Sequence, residues 1–165
     1  MRKFAIAVAA LALLATAGTA HAGMGATMEY DGSFDQRLGI NFSTAGGSII
    51  DLLAGFQVPD GGTTVIGVGG RFEKAMTGGG NVMPVFGLLA DVALGSPDVG
   101  DSWTDFGVGA FIGGKAEIVE DFSITGHMGV AAVINGARSS AGESSTDFGT
   151  FVNVAIRLTN LWGGK

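Results

Sequence analysis

A chain of 165 residues with 30 glycines, no cysteine and a formal charge of −6 has room for one domain. The missing cysteines exclude disulfides, thiolate metal sites and a lipid-modified cysteine at a processed amino terminus. The acidic balance argues against nucleic acid as a partner.

The amino-terminal stretch MRKFAIAVAALALLATAGTAHA carries Arg2 and Lys3, an apolar run from Phe4 to about Ala17, and small residues at Ala20 and Ala22. That is the layout of a secretory signal peptide cut after Ala22, so residues 1–22 are expected to be removed and 23–165 to form the domain. Losing Arg2 and Lys3 takes the formal charge from −6 to −8. Export without disulfides suits a bacterial envelope. The mean hydropathy is +0.42, yet no later apolar run approaches the length of a membrane helix. The apolar surface has to be accommodated in another way.

Beyond the signal the apolar residues recur with period two, which predicts strands over 24–30, 35–43, 48–58, 63–75, 82–94, 103–118, 122–135 and 147–161. The breaks between them (YDGSF, TAGG, PDGG, MTGGGN, GSPDVGDS, VED and GARSSAGESST) are rich in turn formers. Eight strands joined by hairpins predict an all-β fold, a closed antiparallel up-and-down barrel. One parity rule runs through all of them. Even positions are apolar, as in Ile50, Leu52, Ala54, Phe56 and Val58; odd positions carry Glu29, Arg37, Asn41, Asp51, Gln57, Arg71, Glu73, Asp91, Lys115, Glu117, His127, Asn153 and Arg157. Lys74 alone puts a charge in the apolar register, at a strand end where its stem can reach the interface.

The charged face is crowded with Gly39, Gly55, Gly67, Gly69, Gly107, Gly109 and Gly113. Small residues among few charges suit a narrow interior better than a solvated surface. Four basic residues (Arg37, Arg71, Lys115, Arg157) stand against five acidic ones (Glu29, Asp51, Glu73, Asp91, Glu117), so a lumen network of paired charges that includes His127 is expected. Aromatic residues of the apolar register fall towards strand ends: Phe42, Phe72, Phe122 and Trp162 towards one rim, Tyr30, Phe56, Phe106 and Phe148 towards the other. Two such girdles around an apolar band mark a transmembrane β-barrel. The longest connections, 95–102 and 136–146, then lie on the outer side, and 44–47, 76–81 and 119–121 on the periplasmic side. Centring the hairpins places Asp51 opposite Arg71 and Glu29 opposite Arg37.

With its signal peptide, alternation, girdles and strands such as FGVGAFIGGKAEI and FSITGHMGVAAVI, the chain from Gly23 to Lys165 resembles the small eight-stranded outer-membrane barrels of Gram-negative bacteria, the OmpA/OmpX-like group. The resemblance implies residence in the outer membrane, contact with its lipid and lipopolysaccharide, and passage through the barrel-assembly machinery. Such chains usually end on an aromatic residue; here Trp162 is followed by Gly163, Gly164 and Lys165.

Little in the sequence points to catalysis, and no cofactor is expected. His127 is the one histidine left after cleavage, and Ser123 in its register is about 13 Å away at strand rise. Gly67-Val68-Gly69-Gly70 and Gly107-Val108-Gly109 complete no phosphate-loop spacing. Asp98, Asp101 and Asp105 match no calcium motif and read as a solvated acidic loop. The expected function is therefore a non-enzymatic barrel with a filled lumen and a structural or surface-interaction role through its outer loops. Three alternatives stay open: a narrow, porin-like small-solute channel, a lipid-modifying enzyme, and a soluble periplasmic lipocalin-like barrel with its faces reversed.

Overall fold

The computed structural model describes residues 21–31, 36–44, 46–58, 62–77, 81–137 and 143–162. The signal-peptide expectation lies outside them, except for His21 and Ala22, whose backbone opens the first strand. Eight antiparallel strands follow in order: β1 (His21–Asp31), β2 (Arg37–Thr44), β3 (Ser48–Gln57), β4 (Thr63–Ala75), β5 (Val82–Pro97), β6 (Trp103–Val119), β7 (Phe122–Asn135) and β8 (Ser145–Leu158). Each pairs with its neighbour in sequence, and β1 pairs with β8, so the sheet closes as an up-and-down barrel.

The ladder registers fix the stagger of the wall. Side-by-side partners lead from Met28 through Leu38, Ala54, Val68, Val92, Phe106 and Ile134 to Thr146, once around the barrel. Across the seam, however, Met28 pairs with Ile156, ten residues along β8 from Thr146. A shear of ten on eight strands tilts them by about 40° and leaves an interior just wide enough for side chains. Asp51 faces Arg71 and Glu29 faces Arg37, the registers that centred hairpins require.

Parity decides what each side of the wall meets. Even-numbered Leu38, Ile112, Val130 and Val152 are 61–68 % exposed, whereas odd-numbered Asp51 and Arg157 are fully buried. This is the inverse of a water-soluble barrel, and it sets aside the lipocalin-like alternative. Tyr30, Phe56 and Phe148 stand exposed on the outer face, and Phe42, Phe72, Phe106 and Phe122 are half-buried there; Trp162, past the end of β8, is exposed and its backbone amide donates to the Met24 carbonyl. Phe72 pairs with Ile50 and Leu88, in the same ladder row as Phe42. Lys74 bonds the Gly46 carbonyl in the adjacent turn, which takes its charge out of the apolar wall.

Two expectations about connections need correction. β5 continues through Gly95, Ser96 and Pro97, which pair with Val65, Thr64 and Thr63, so the third outer connection is only 98–102. The expected contrast between long outer and short periplasmic loops is therefore carried by 136–144 alone, since 76–81 is longer than 98–102. Ladder hydrogen bonds absorbed residues whose glycine and proline content reads as loop.

Replacing Leu88, 57 % exposed in the middle of β5, tests the sidedness. Leu88→Lys is expected to lower unfolding free energy in lipid vesicles by about 2–4 kcal/mol, the cost of a lysine near the bilayer centre. Urea titration followed by tryptophan fluorescence measures it, and a loss under about 0.5 kcal/mol would put this face in water.

Candidate functional site

All eight strands send odd-numbered side chains into one lumen, where eight titratable groups form a continuous chain of contacts. Arg157 on β8 lies at its centre. Its guanidinium forks onto two carboxylates: Nε and Nη2 donate to Asp51 at 3.1 and 2.8 Å, and Nη1 and Nη2 donate to Glu73 at 3.1 and 2.9 Å. Nη1 also donates to Thr125 Oγ1 at 2.9 Å. Arginine suits this place because its planar fork carries five donors with fixed geometry and keeps its charge when buried.

From Asp51 the chain runs to Arg71, whose Nε and Nη2 donate at 3.0 and 2.9 Å, and on through Arg71 Nη1 to Glu29. Glu29 meets Arg37 at 3.6 Å, and Arg37 bonds Asp91. On the other flank Glu73 accepts from His127 Nε2 at 2.6 Å, and His127 Nδ1 lies 2.8 Å from Asn153 Oδ1. Thr27 donates to Asp51 at 2.6 Å, while the Asn41 amide donates to the carbonyls of Ala26 and Leu158 at 2.9 and 3.1 Å. Removing these charges from water is costly, and each buried carboxylate is compensated by at least one guanidinium or imidazole within the lumen.

Apolar side chains complete the filling. Leu53, Val85, Phe111 and Ala155 are buried inside, and the Phe111 ring meets His127 edge-on with centroids 4.5 Å apart. Large inward side chains sit opposite glycines across the ladder: Arg37 faces Gly55, Asp91 faces Gly69, Phe111 faces Gly87 and Trp103 faces Gly95. A Cβ on Gly95 would fall 1.9 Å from the Trp103 ring, and one on Gly69 would fall 2.0 Å from Asp91 Oδ1. The inward glycines therefore provide room for the side chains beside them.

Of the expected lumen charges, Glu29, Arg37, Asp51, Arg71, Glu73, Asp91, His127 and Arg157 meet in this network. Lys115 and Glu117 do not. They pair with each other at 2.9 Å towards the end of β6, and Glu117 lies beyond Ala116, the last β6 residue that β5 covers. Thr27 and Thr125 belong to the network although only their inward parity marked them. Ser123 is buried in the ladder opposite Arg157, its hydroxyl without a hydrogen-bond partner. Asp105 accepts the Gly136 amide at 2.9 Å, and no group of three or more potential metal ligands exists among the described residues.

An apolar outer wall, charged residues paired inside it and a closed sheet define a small β-barrel of the transmembrane type. No family model and no curated protein matches the chain. Among solved structures it is similar to the crystal structure of Neisserial surface protein A, with a TM-score of 0.49 and 11 % identity over 82 % of this chain and 93 % of that one.

Two substitutions separate network from rim. Glu73→Ala strips a partner from both Arg157 and His127 and is expected to lower stability by about 3–5 kcal/mol. Glu117→Ala removes a carboxylate that is itself exposed and is expected to change it by much less, about 1 kcal/mol. Equal losses in denaturant titration would mean that the lumen contacts do not hold the barrel together. Gly95→Ala is expected to cost about 1–3 kcal/mol by overpacking. In a Trp103→Ala background the same change is expected to cost nothing further, and a double-mutant cycle reads the difference.

Proposed function

We propose that this chain, exported through its amino-terminal signal, is a non-enzymatic and non-conducting barrel of the Gram-negative outer membrane. Its role is structural or surface-interacting, exercised through the outer connections, of which 136–144 is the longest. Lipid and lipopolysaccharide surround the wall, and the assembly machinery of the outer membrane is its partner during biogenesis. One observation carries this reading: inward side chains from all along the wall, from Asp91 through Arg157 to Asn153 and with Leu53, Val85 and Phe111, are in contact with one another or buried.

The same geometry disfavours the enzymatic alternative. Both ring nitrogens of His127 are engaged, by Glu73 and by Asn153, so neither is available to activate a hydroxyl. The imidazole also lies inside the wall, away from lipid. The channel alternative rests on lumen charges, but Glu29, Arg37, Asp51, Arg71, Glu73, Asp91 and Arg157 are paired with one another, which speaks for a filled interior.

Envelope fractionation, followed by gel electrophoresis with and without boiling, comes first. The protein is expected in the outer-membrane fraction as a band that shifts on heating; release with the soluble periplasm would overturn the membrane reading. The purified barrel is then expected to leave planar-bilayer conductance at background. Discrete current steps that scale with added protein would establish the channel instead. His127→Ala is expected to leave lipid A composition unchanged, and an altered composition would revive the enzyme.

A further inference from the structure

Each strand of the wall runs on into its neighbour through the chain, except that nothing covalent joins β1 to β8. Hydrogen bonds alone hold that seam. At the end of the barrel that carries the β6–β7 turn, its ladder stops at Ala26 and Leu158. β1 extends on to His21 and stays paired with β2 there, but β8 has ended. Continued without a break, the seam would set Asn160 opposite Met24. Instead the chain leaves β8 at Thr159, turns, and returns with the Trp162 amide donating to the Met24 carbonyl at 3.0 Å.

The detour is fastened on both sides. The Leu158 carbonyl that precedes it accepts from the Asn41 amide of β2 at 3.1 Å. Within it, the Thr159 amide donates to the Asp121 carbonyl at 2.8 Å, and the Asn160 side-chain amide donates to the Asp121 carboxylate. Asp121 and Asn160 are also the two non-glycine residues among the described ones with positive φ, 63° and 59°. Aspartate and asparagine tolerate that conformation better than most side chains, and it persists where surrounding contacts hold it. β1 makes room for the detour. Its inward Gly23 and Gly25 lie where a Cβ would fall 1.5 Å from Asn160 Oδ1 and 1.9 Å from the Leu158 carbonyl oxygen.

The anchors are Met24 on β1, Asn41 on β2 and Asp121 in the β6–β7 turn. The first two lie on one side of β8 and the third on the other, so all three meet only when the ring is closed. We infer that Thr159–Trp162 is a latch: it ties the end of β8 to both neighbours and stands in for the connection that the seam lacks. With the latch undone, β1 and β8 part more readily from this end, while strands joined by the chain are unaffected. The latch requires only the closed ring and not a particular membrane.

Hydrogen exchange in the purified, folded barrel tests this. In the unsubstituted protein the Thr159 and Trp162 amides are expected to be protected together with those that bond across the seam, between Ala26–Asp31 and Asn153–Leu158. Rapid exchange at Thr159 and Trp162 would overturn the latch whatever the variants show. Asn160→Gly removes the side-chain bond and keeps a residue that adopts positive φ freely. Exchange across the seam is then expected to rise about fivefold, the order expected for one lost side-chain hydrogen bond. Exchange in the ladders of β4 to β6 is expected to stay unchanged. Asp121→Gly is expected to act in the same way. The double variant is expected to do less than the product of the two, because both single changes break one shared bond. A heat-shifting band shows that each variant retains its barrel. Unchanged exchange at the seam, an equal rise in every ladder, or effects that multiply in the double variant would overturn the latch.

Discussion

Every peptide group in a lipid-embedded wall needs a hydrogen-bond partner that lipid cannot supply, and the rest of this structure follows from that requirement. Strands meet the requirement by closing on themselves, and closure fixes parity: one set of side chains faces outwards and the other faces the lumen. The outward set is Leu38, Leu88, Ile112, Val130 and Val152, exposed to an extent that water would penalise. The inward set has no route to solvent through the wall and must satisfy its own polar groups.

The stagger then decides which inward groups meet. Asp51 comes from β3 and Arg157 from β8, far apart around the wall in chain order, yet they bond at 2.8 Å. Arg71 reaches Asp51 on the adjacent strand and Glu29 two strands further back. A lumen only as wide as two opposed side chains converts the ladder register into a three-dimensional pairing. Glycines at the places beside Arg37, Asp91, Phe111 and Trp103 leave the space for it.

Much of this architecture was legible because period-two alternation carries both the strand and its sidedness in a single signal. The strands, the inverted faces and the pairs Asp51–Arg71 and Glu29–Arg37 could be read from parity and hairpin symmetry. Partners several strands away could not, because they depend on the shear, which appears only when the seam closes. That is why the bonds of Arg157 to Asp51 and Glu73, and of His127 to Glu73, were not specified in advance. Composition misled where it spoke for loops, as at Gly95–Pro97, and parity carries no information on where a neighbouring strand ends, so it did not tell that Glu117 lies past the β5 ladder and pairs with Lys115 there. The inward apolar residues Leu53, Val85 and Phe111 obeyed the same parity but were masked by the charges among them.

The central place of Arg157 gives the last strand a role beyond filling a gap in the wall. The first five strands bring four lumen carboxylates, Glu29, Asp51, Glu73 and Asp91, but only two guanidiniums, Arg37 and Arg71. An open sheet lacking β8 leaves Asp51 and Glu73 without the Arg157 guanidinium, a shortfall that water has to make good, so it resists entry into hydrocarbon. When β8 docks, Arg157 neutralises Asp51 and Glu73 in the same movement that completes the backbone ring. Closure, charge neutralisation and loss of water thus become one cooperative event, and the strand made last on the ribosome is the one that permits dehydration of all the others.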